Sequence, residues 1–497
     1  MKSSILVAKD FIVGEAGDHL FGGFVEHLGR CVYNGIYEPE HPTADSDGFR
    51  QDVIELVREL NMPLTRYPGG NFVSGYNWLD GIGPKDKRPV RPEYAWKATE
   101  TNQVGLDEFI KWCRSAGTEP IYTVNLGTNT PKAAQELVEY CNFPGGTYYS
   151  ELRKANGSAE PHNIRYWCLG NEMDGEWQIG HMTAQEYGRK AREAARMMHD
   201  ADPSIKLCAC GSSHAGMPTF GSWDQEVLRH VYDDVDFLSI HAYFGNRDRN
   251  FPCFYASAER LDRQIENTVA CCDAVGAEKK SRKKIMLALD EWNVWYRGGV
   301  PEDNYWQCGA PALEEIYDMA DVLVTGSLML SMLDHCDRVR IGCIAQTCNV
   351  IAPIMTEPGG RVWRQTTFYP LRETSRYGCG TVLRSVIDSP CYQQDDVGDV
   401  PYLRATCVWQ KKENNISVFA INRSGEEMDF SAILKGFTPR HCLVAETISH
   451  ASPDAVNTAE KEEVFPVGIP AELVKLEGDT LSAKLAPYSW NLFRVSL

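Results

Sequence analysis

Along the first 375 residues or so, short apolar runs alternate with longer amphipathic stretches. Eight of the short runs predict strands: Leu20–Leu28, Pro63–Gly70, Pro120–Leu126, Arg165–Gly170, Ile205–Cys210, Asp236–Tyr243, Lys284–Glu291 and Arg340–Gln346. Each is near-continuously apolar or β-branched, as a strand buried on both faces requires. Helical spacing lies between them. Val53, Leu56, Val57 and Leu60 share one helical face, as do Leu106, Phe109, Ile110 and Cys113 before the stop at Ala116-Gly117. Thr183 is placed to cap the run Ala184–Asp200, and Ala310–Leu333 predicts another long helix. Eight strands alternating with helices over about 350 residues predict a (β/α)8 (TIM) barrel with insertions rather than a doubly wound sheet.

The pattern changes after Arg376. Val400–Gln410, Asn415–Asn422 and Leu481–Val495 are rich in Val, Thr, Tyr and Phe, with turns at Asn414-Asn415 and Ser424-Gly425 and no long helical period. A C-terminal β-sandwich, jelly-roll-like, is expected. The apolar run Ile5–Val13 predicts one strand ahead of the barrel, placed to complete that sandwich. The expected division is therefore 1–17 as a strand segment joining the sandwich, 18–375 as the barrel and 376–497 as the sandwich.

Charge and cysteine usage narrow the partners. Fifty basic against sixty-eight acidic side chains give 50 − 68 = −18, which repels phosphate backbones and anionic membranes and leaves a neutral sugar open. No apolar stretch of about 18 residues suggests a membrane span. The N-terminus has no signal-peptide core, and seventeen scattered cysteines fit neither a disulfide framework nor a zinc spacing. A reducing cytoplasm is the expected compartment.

Candidate chemistry collects where barrel strands end. The first strand ends in Glu26-His27 and the second in Arg66-Tyr67-Pro68-Gly69-Gly70-Asn71. The fourth gives Gly170-Asn171-Glu172, the sixth His241-Ala242-Tyr243, the seventh Asp290-Glu291-Trp292-Asn293 and the eighth Gln346. Glu172 and Glu291 come from strands on opposite sides of a barrel mouth, so their carboxylates can face each other across a sugar ring. Glycosidic cleavage needs such a pair, one to protonate the leaving oxygen and one to attack or activate water. Trp78, Trp96, Trp177, Trp292 and Trp295 are candidates for an aromatic rim. Each has a plainer reading: a single strand-end Glu is commonly solvated, a single Trp commonly packs, His241 fits a satisfied core histidine, and Arg66 fits an ion pair. Metal chemistry is the main rival, since barrel-mouth Glu, Asp and His also bind divalent ions. Here they are diluted with Asn, Gln, Trp and an Arg, and HExxH, Walker and GxSxG motifs are absent, so neither metal nor cofactor is expected. A sugar-binding protein without activity is the non-enzymatic alternative.

The strings FGGFVEHLGR, RYPGGNFVSGYNW, WCLGNEMDGEWQIG, HAYF, LDEWNVWY and PYSWNLFRV resemble, in order and spacing, the α-L-arabinofuranosidases of glycoside hydrolase family 51. The resemblance implies an intracellular homo-oligomer, often a hexamer. It implies release of terminal non-reducing arabinofuranosyl units from arabinoxylan, arabinan or derived oligosaccharides, with retention. It makes Glu172 the general acid/base and Glu291 the nucleophile. Glu26, Asn71, Asn171 and Gln346 would hold sugar hydroxyls, Arg66 and Tyr243 would position the nucleophile, and His241 would lie in the shell around it. Trp96 and Trp295 would shape the pocket. A retaining endo-glucanase or β-xylosidase is the alternative activity. Retention calls for carboxyl groups about 5–5.5 Å apart. A negative Glu291 would raise the proton affinity of Glu172.

Overall fold

The computed structural model describes residues 1–497. All eight apolar runs fold as strands of one closed parallel barrel. In chain order these are Gly22–Phe24, Leu64–Tyr67, Glu119–Val124, Tyr166–Leu169, Lys206–Cys210, Phe237–Phe244, Met286–Val294 and Val339–Ala345. Each lies beside its successor, and the eighth closes on the first through Cys343↔Gly22, Ile344↔Gly23 and Ala345↔Phe24. The second and fourth strands are buried at every residue, which explains why no polar alternation marks them.

The helices start and stop where local chemistry dictates. Helix Leu106–Ala116 ends at Gly117 in the left-handed conformation. Helix Ala184–Ala201 begins with a reciprocal box in which the Thr183 hydroxyl accepts from the Glu186 N–H and the Glu186 carboxylate accepts from the Thr183 N–H. One expected helix is shorter than its apolar run. Ala310–Leu333 is helical only from Met319, because the Asp318 carboxylate caps the N–H groups of Ala320 and Asp321 while Asp321 accepts from the Asp318 N–H. Residues 310–318 instead form a loop above the barrel mouth, where Leu313 lines a cavity. The remaining helix is buried from Met319 through Leu333, since the barrel lies on one side and the second domain on the other. Arg404 ties that interface to Asp262 and Asp334 at 2.8 and 2.9 Å.

That second domain is two facing sheets. One has five strands, Val386–Asp388, Lys2–Ala8, Met428–Lys435, Thr480–Leu485 and Lys475–Glu477. The other has seven, from Ile12–Ala16 through Gly380–Leu383, Leu403–Gln410, Asn415–Asn422, Ser489–Ser496 and His441–Ile448 to Val467–Gly468. The single strand expected at Ile5–Val13 is thus two, broken by a turn and shared between the two sheets. Ile5 and Val7 enter a core with Phe430 and Phe493, while Leu6 between them faces outward.

Candidate active site

The strand ends converge on a cavity of about 680 Å³. Glu26, Asn71, Trp96, Glu172, Tyr243, Glu291, Trp295 and Gln346 all line it. Arg66, Asn171 and His241 are buried behind that lining.

Glu291 sits inside the seventh strand, where it pairs with His241 of the sixth, and the neighbouring Trp292 is paired on both sides. The Tyr243 hydroxyl donates to its Oε1 at 2.6 Å and Arg66 Nη1 donates to its Oε2 at 2.9 Å. Arg66 also donates to Asn171 Oδ1 at 2.7 Å and pairs with Asp290 Oδ2 at 3.1 Å. Its guanidinium lies over the Phe24 ring, 4.7 Å from the centroid. Burial alone would raise the Asp290 pKa, but Arg66 and His241 hold it well below the usual carboxylate range.

Glu172 is held differently. It follows Gly170 off the fourth strand and has φ of +45°, a conformation uncommon for a residue with a Cβ. Its Oε1 lies 2.9 Å from His241 Nδ1, and its Oε2 accepts from Trp177 Nε1 at 2.6 Å. His241 Nδ1 is also 3.7 Å from Glu291 Oε2, and its Nε2 is 3.6 Å from Asp290. One oxygen of each glutamate and a nitrogen of His241 all lie within 4.8 Å of one another. His241 therefore stands between the two carboxylates, and this corrects the expected electrostatics. Burial would lower its pKa, but Glu291, Asp290 and Glu172 raise it well above the ordinary histidine value. Burial would likewise raise Glu172, but the hydrogen bond and charge of His241, with Trp177 and Arg66, lower it. The two shifts run in the same sense, His241 up and Glu172 down, as a hydrogen-bonded ion pair requires.

Glu26 forms the opposite wall. The Phe72 N–H and the Trp96 indole donate to Oε1 at 3.0 and 2.9 Å, and Gln346 donates to Oε2 at 3.0 Å. Gly70 permits this, since a Cβ there would fall 2.4 Å from the carboxylate. Burial first, then the charge of Glu291, push Glu26 up to about 8. Trp96 is itself seated by Glu93, whose carboxylate accepts the N–H groups of Ala95 and Trp96 at 2.7 Å each.

Other expectations need correcting. Trp78 and Trp292 are not rim residues: Trp78 packs between Tyr140 and Tyr149, and Trp292 is buried in the barrel wall. Asn171 is buried rather than lining the cavity, yet its amide nitrogen has only long contacts, 3.5 Å to Asn71 and 3.4 Å to Gln178. Asp290 carries no separate role in the sequence reading, yet it anchors both Arg66 and His241. Ser213 and His214, which follow the fifth strand, and Leu313 and Ile351 on loops, also line the cavity. A strand-end rule applied to the fifth strand finds Ser213 and His214; nothing periodic marks the loop residues. Two groups have donor atoms close enough for a metal, Glu172–His241–Glu291 and Cys168–Cys208–Asp290. Arg66 already binds a carboxylate of each, which supplies the positive charge a cation would bring.

Comparison with known proteins agrees with this geometry. Residues 290–489 match the model of the α-L-arabinofuranosidase C-terminal domain, and residues 56–250 match that of the α-L-arabinofuranosidase 1 domain. The intracellular exo-α-(1→5)-L-arabinofuranosidase 1 of Bacillus subtilis is 48% identical over 496 residues, covering 99% of each chain. An exo-α-(1→6)-L-arabinofuranosidase of Bifidobacterium longum is 45% identical, covering 99% of this chain and 97% of its own. Among solved structures, a family 51 α-L-arabinofuranosidase from Bifidobacterium longum superposes with a TM-score of 0.94 at 42% identity, covering 99% of each chain. The arabinose complex of the Thermotoga maritima α-L-arabinofuranosidase gives 0.89 at 32% identity over both full chains. A glucanase-xylanase at 13% identity and a TM-score of 0.61 shares the fold alone. The chain belongs to the α-L-arabinofuranosidases of glycoside hydrolase family 51, whose members cleave with retention.

Proposed function

We propose that this enzyme removes terminal α-L-arabinofuranosyl units by double displacement, with Glu291 as nucleophile and Glu172 as acid/base. The observation that carries the reading is the close pair of carboxylates, with oxygens within 4.8 Å, delivered by strands from opposite walls. So close an approach is in keeping with direct attack by the second carboxylate, the course taken by a retaining pair. Arg66 and Tyr243 both donate to Glu291, favouring the carboxylate that attack requires. The proton for the leaving oxygen is shared by His241 and Glu172 across 2.9 Å. Of the two only Glu172 lines the cavity, so delivery passes through it. Once Glu291 is esterified its charge is gone, and Glu172 accepts a proton from the incoming water. Glu26, Asn71, Asn171 and Gln346 are assigned to sugar hydroxyls, and Trp96 and Trp295 to the pocket walls.

The substrate we assign is an α-1,5-linked arabino-oligosaccharide, supported by the relatives named exo-α-(1→5)-L-arabinofuranosidases. Those names also support an intracellular setting. No helix is long and apolar enough to cross a membrane. Residues 18–375 are assigned as the catalytic unit, with 1–17 and 376–497 as its companion, and the assembly as a homo-oligomer. Glu172→Ala tests the chemistry. On an activated aryl arabinofuranoside it should stall at deglycosylation, and added azide should restore turnover and yield the α-configured arabinosyl azide, since azide displaces the β-linked ester from the face the leaving group occupied. No azide product would overturn the acid/base role. Defined 1,2-, 1,3-, 1,5- and 1,6-linked oligosaccharides test the linkage, with fastest release expected from 1,5.

A further inference from the structure

The acid/base carboxyl has one neighbour that is buried and one that is not. His241 covers Oε1, whereas the donor to Oε2, Trp177, is 48% exposed at the cavity edge. Trp177 stacks on His214 with ring centroids 6.0 Å apart and planes 18° from parallel. Its ring lies over Gly175, where a Cβ would fall 2.4 Å from the indole. The Gly175 N–H donates to the Glu172 carbonyl at 2.9 Å, so the acid, the glycine and the indole belong to one compact turn. An indole N–H donates and cannot accept. It stabilises a carboxylate, and survives protonation only on the oxygen left without hydrogen.

We propose that Trp177 is a positioning residue that biases Glu172 towards its base form, speeding the second displacement while narrowing the pH range of the first. The inference rests on Glu172 being the acid/base. In the first step the Glu172 proton moves to the glycosidic oxygen as that C–O bond breaks and Glu291 bonds the anomeric carbon. In the second, water bonds that carbon, the ester to Glu291 breaks, and the water proton returns to Glu172. The N–H of Trp177 disfavours the state before the first transfer and favours the state before the second. The charged and titratable groups that face Glu172 are His241 and Tyr243 from the sixth strand, Glu291 from the seventh, Arg66 from the second and Asp174 from its own loop, with Asp290 behind His241. All remain when Trp177 is changed.

Trp177→Phe removes the N–H and keeps a ring over Gly175 and against His214. The alkaline limb of kcat/KM on an aryl arabinofuranoside should move up by roughly half to one pH unit, the size of one hydrogen bond to a charge at a half-exposed position. With a dinitrophenyl leaving group, which needs little protonation, deglycosylation should limit turnover. The acidic limb of kcat should then rise in parallel. Limbs that stay in place while KM rises would overturn the proposal and leave Trp177 a wall of the pocket. Glu172→Ala with azide is run alongside. Rescue there with unmoved limbs in Trp177→Phe defeats this inference alone, whereas failure of rescue removes the acid/base reading and this inference with it.

Discussion

The two walls of the site are built to opposite specifications. The two hydrogen-bond donors to Glu291 sit on strands and are permanently charged or neutral: the arginine cannot lose its proton, and Tyr243 is raised well above the ordinary phenol value by burial and then by Glu291. Around Glu172 the backbone is a left-handed turn, one neighbour is a titratable histidine, and the other is a half-exposed indole. A nucleophile must be ionised whenever it is free of the sugar, whereas an acid/base must change its protonation state twice in each cycle. Fixed donors serve the first need and adjustable ones the second.

Removing each carboxylate is the sharpest way to break that comparison. Glu291→Ala should lower kcat on an aryl arabinofuranoside by about 10⁴–10⁶-fold, because no other group can form the intermediate. Glu172→Ala should cost about 10²–10⁴-fold, and least with the most acidic leaving group, since it withdraws only proton transfer. Equal losses independent of leaving group would erase the distinction between the walls.

Arg66 extends the comparison from activity to stability. Arg66→Met leaves the buried Asp290 and Glu291 without their cation, and urea unfolding at neutral pH should show a loss of about 3–5 kcal/mol. Below the carboxylate range the defect should shrink, because protonation removes the uncompensated charges. A variant as stable as the parent at neutral pH would mean that His241 alone balances the cluster.

How much of this was legible along the chain follows the same division. The strands were readable because burial on both faces forces a continuous apolar run, and Glu172, Glu291 and Gln346 stood out as polar groups ending such runs. What depended on three-dimensional approach was not. Nothing local says that His241 stands between two carboxylates contributed from 69 and 50 residues away (241 − 172 and 291 − 241). Trp78 and Trp292 look like Trp96 and Trp295 in sequence, and only the direction of the side chain separates packing from pocket. The start of helix Met319–Asp334 was hidden because an apolar loop runs into an apolar helix, with a single aspartate marking the boundary.

Glu26 supplies the smallest effect and tests whether a third carboxyl shares the fixed character of the Glu291 wall. Burial and the charge of Glu291 place it at about 8, against about 4.3 for a glutamate in an unfolded chain. Between those values the folded protein keeps a proton that the unfolded chain has released, so this residue makes folding less favourable as pH rises. Glu26→Gln preserves the shape and cannot titrate. The stability of the parent relative to the variant should therefore decline from about pH 5 to about pH 8, by at most about 1.4 kcal/mol per pH unit, as measured by paired urea titrations. A difference constant with pH would mean that Trp96, Gln346 and the Phe72 N–H hold Glu26 ionised beside Glu291. The nucleophile would then sit opposite a second full negative charge, and Arg66 would have three anions to balance instead of two.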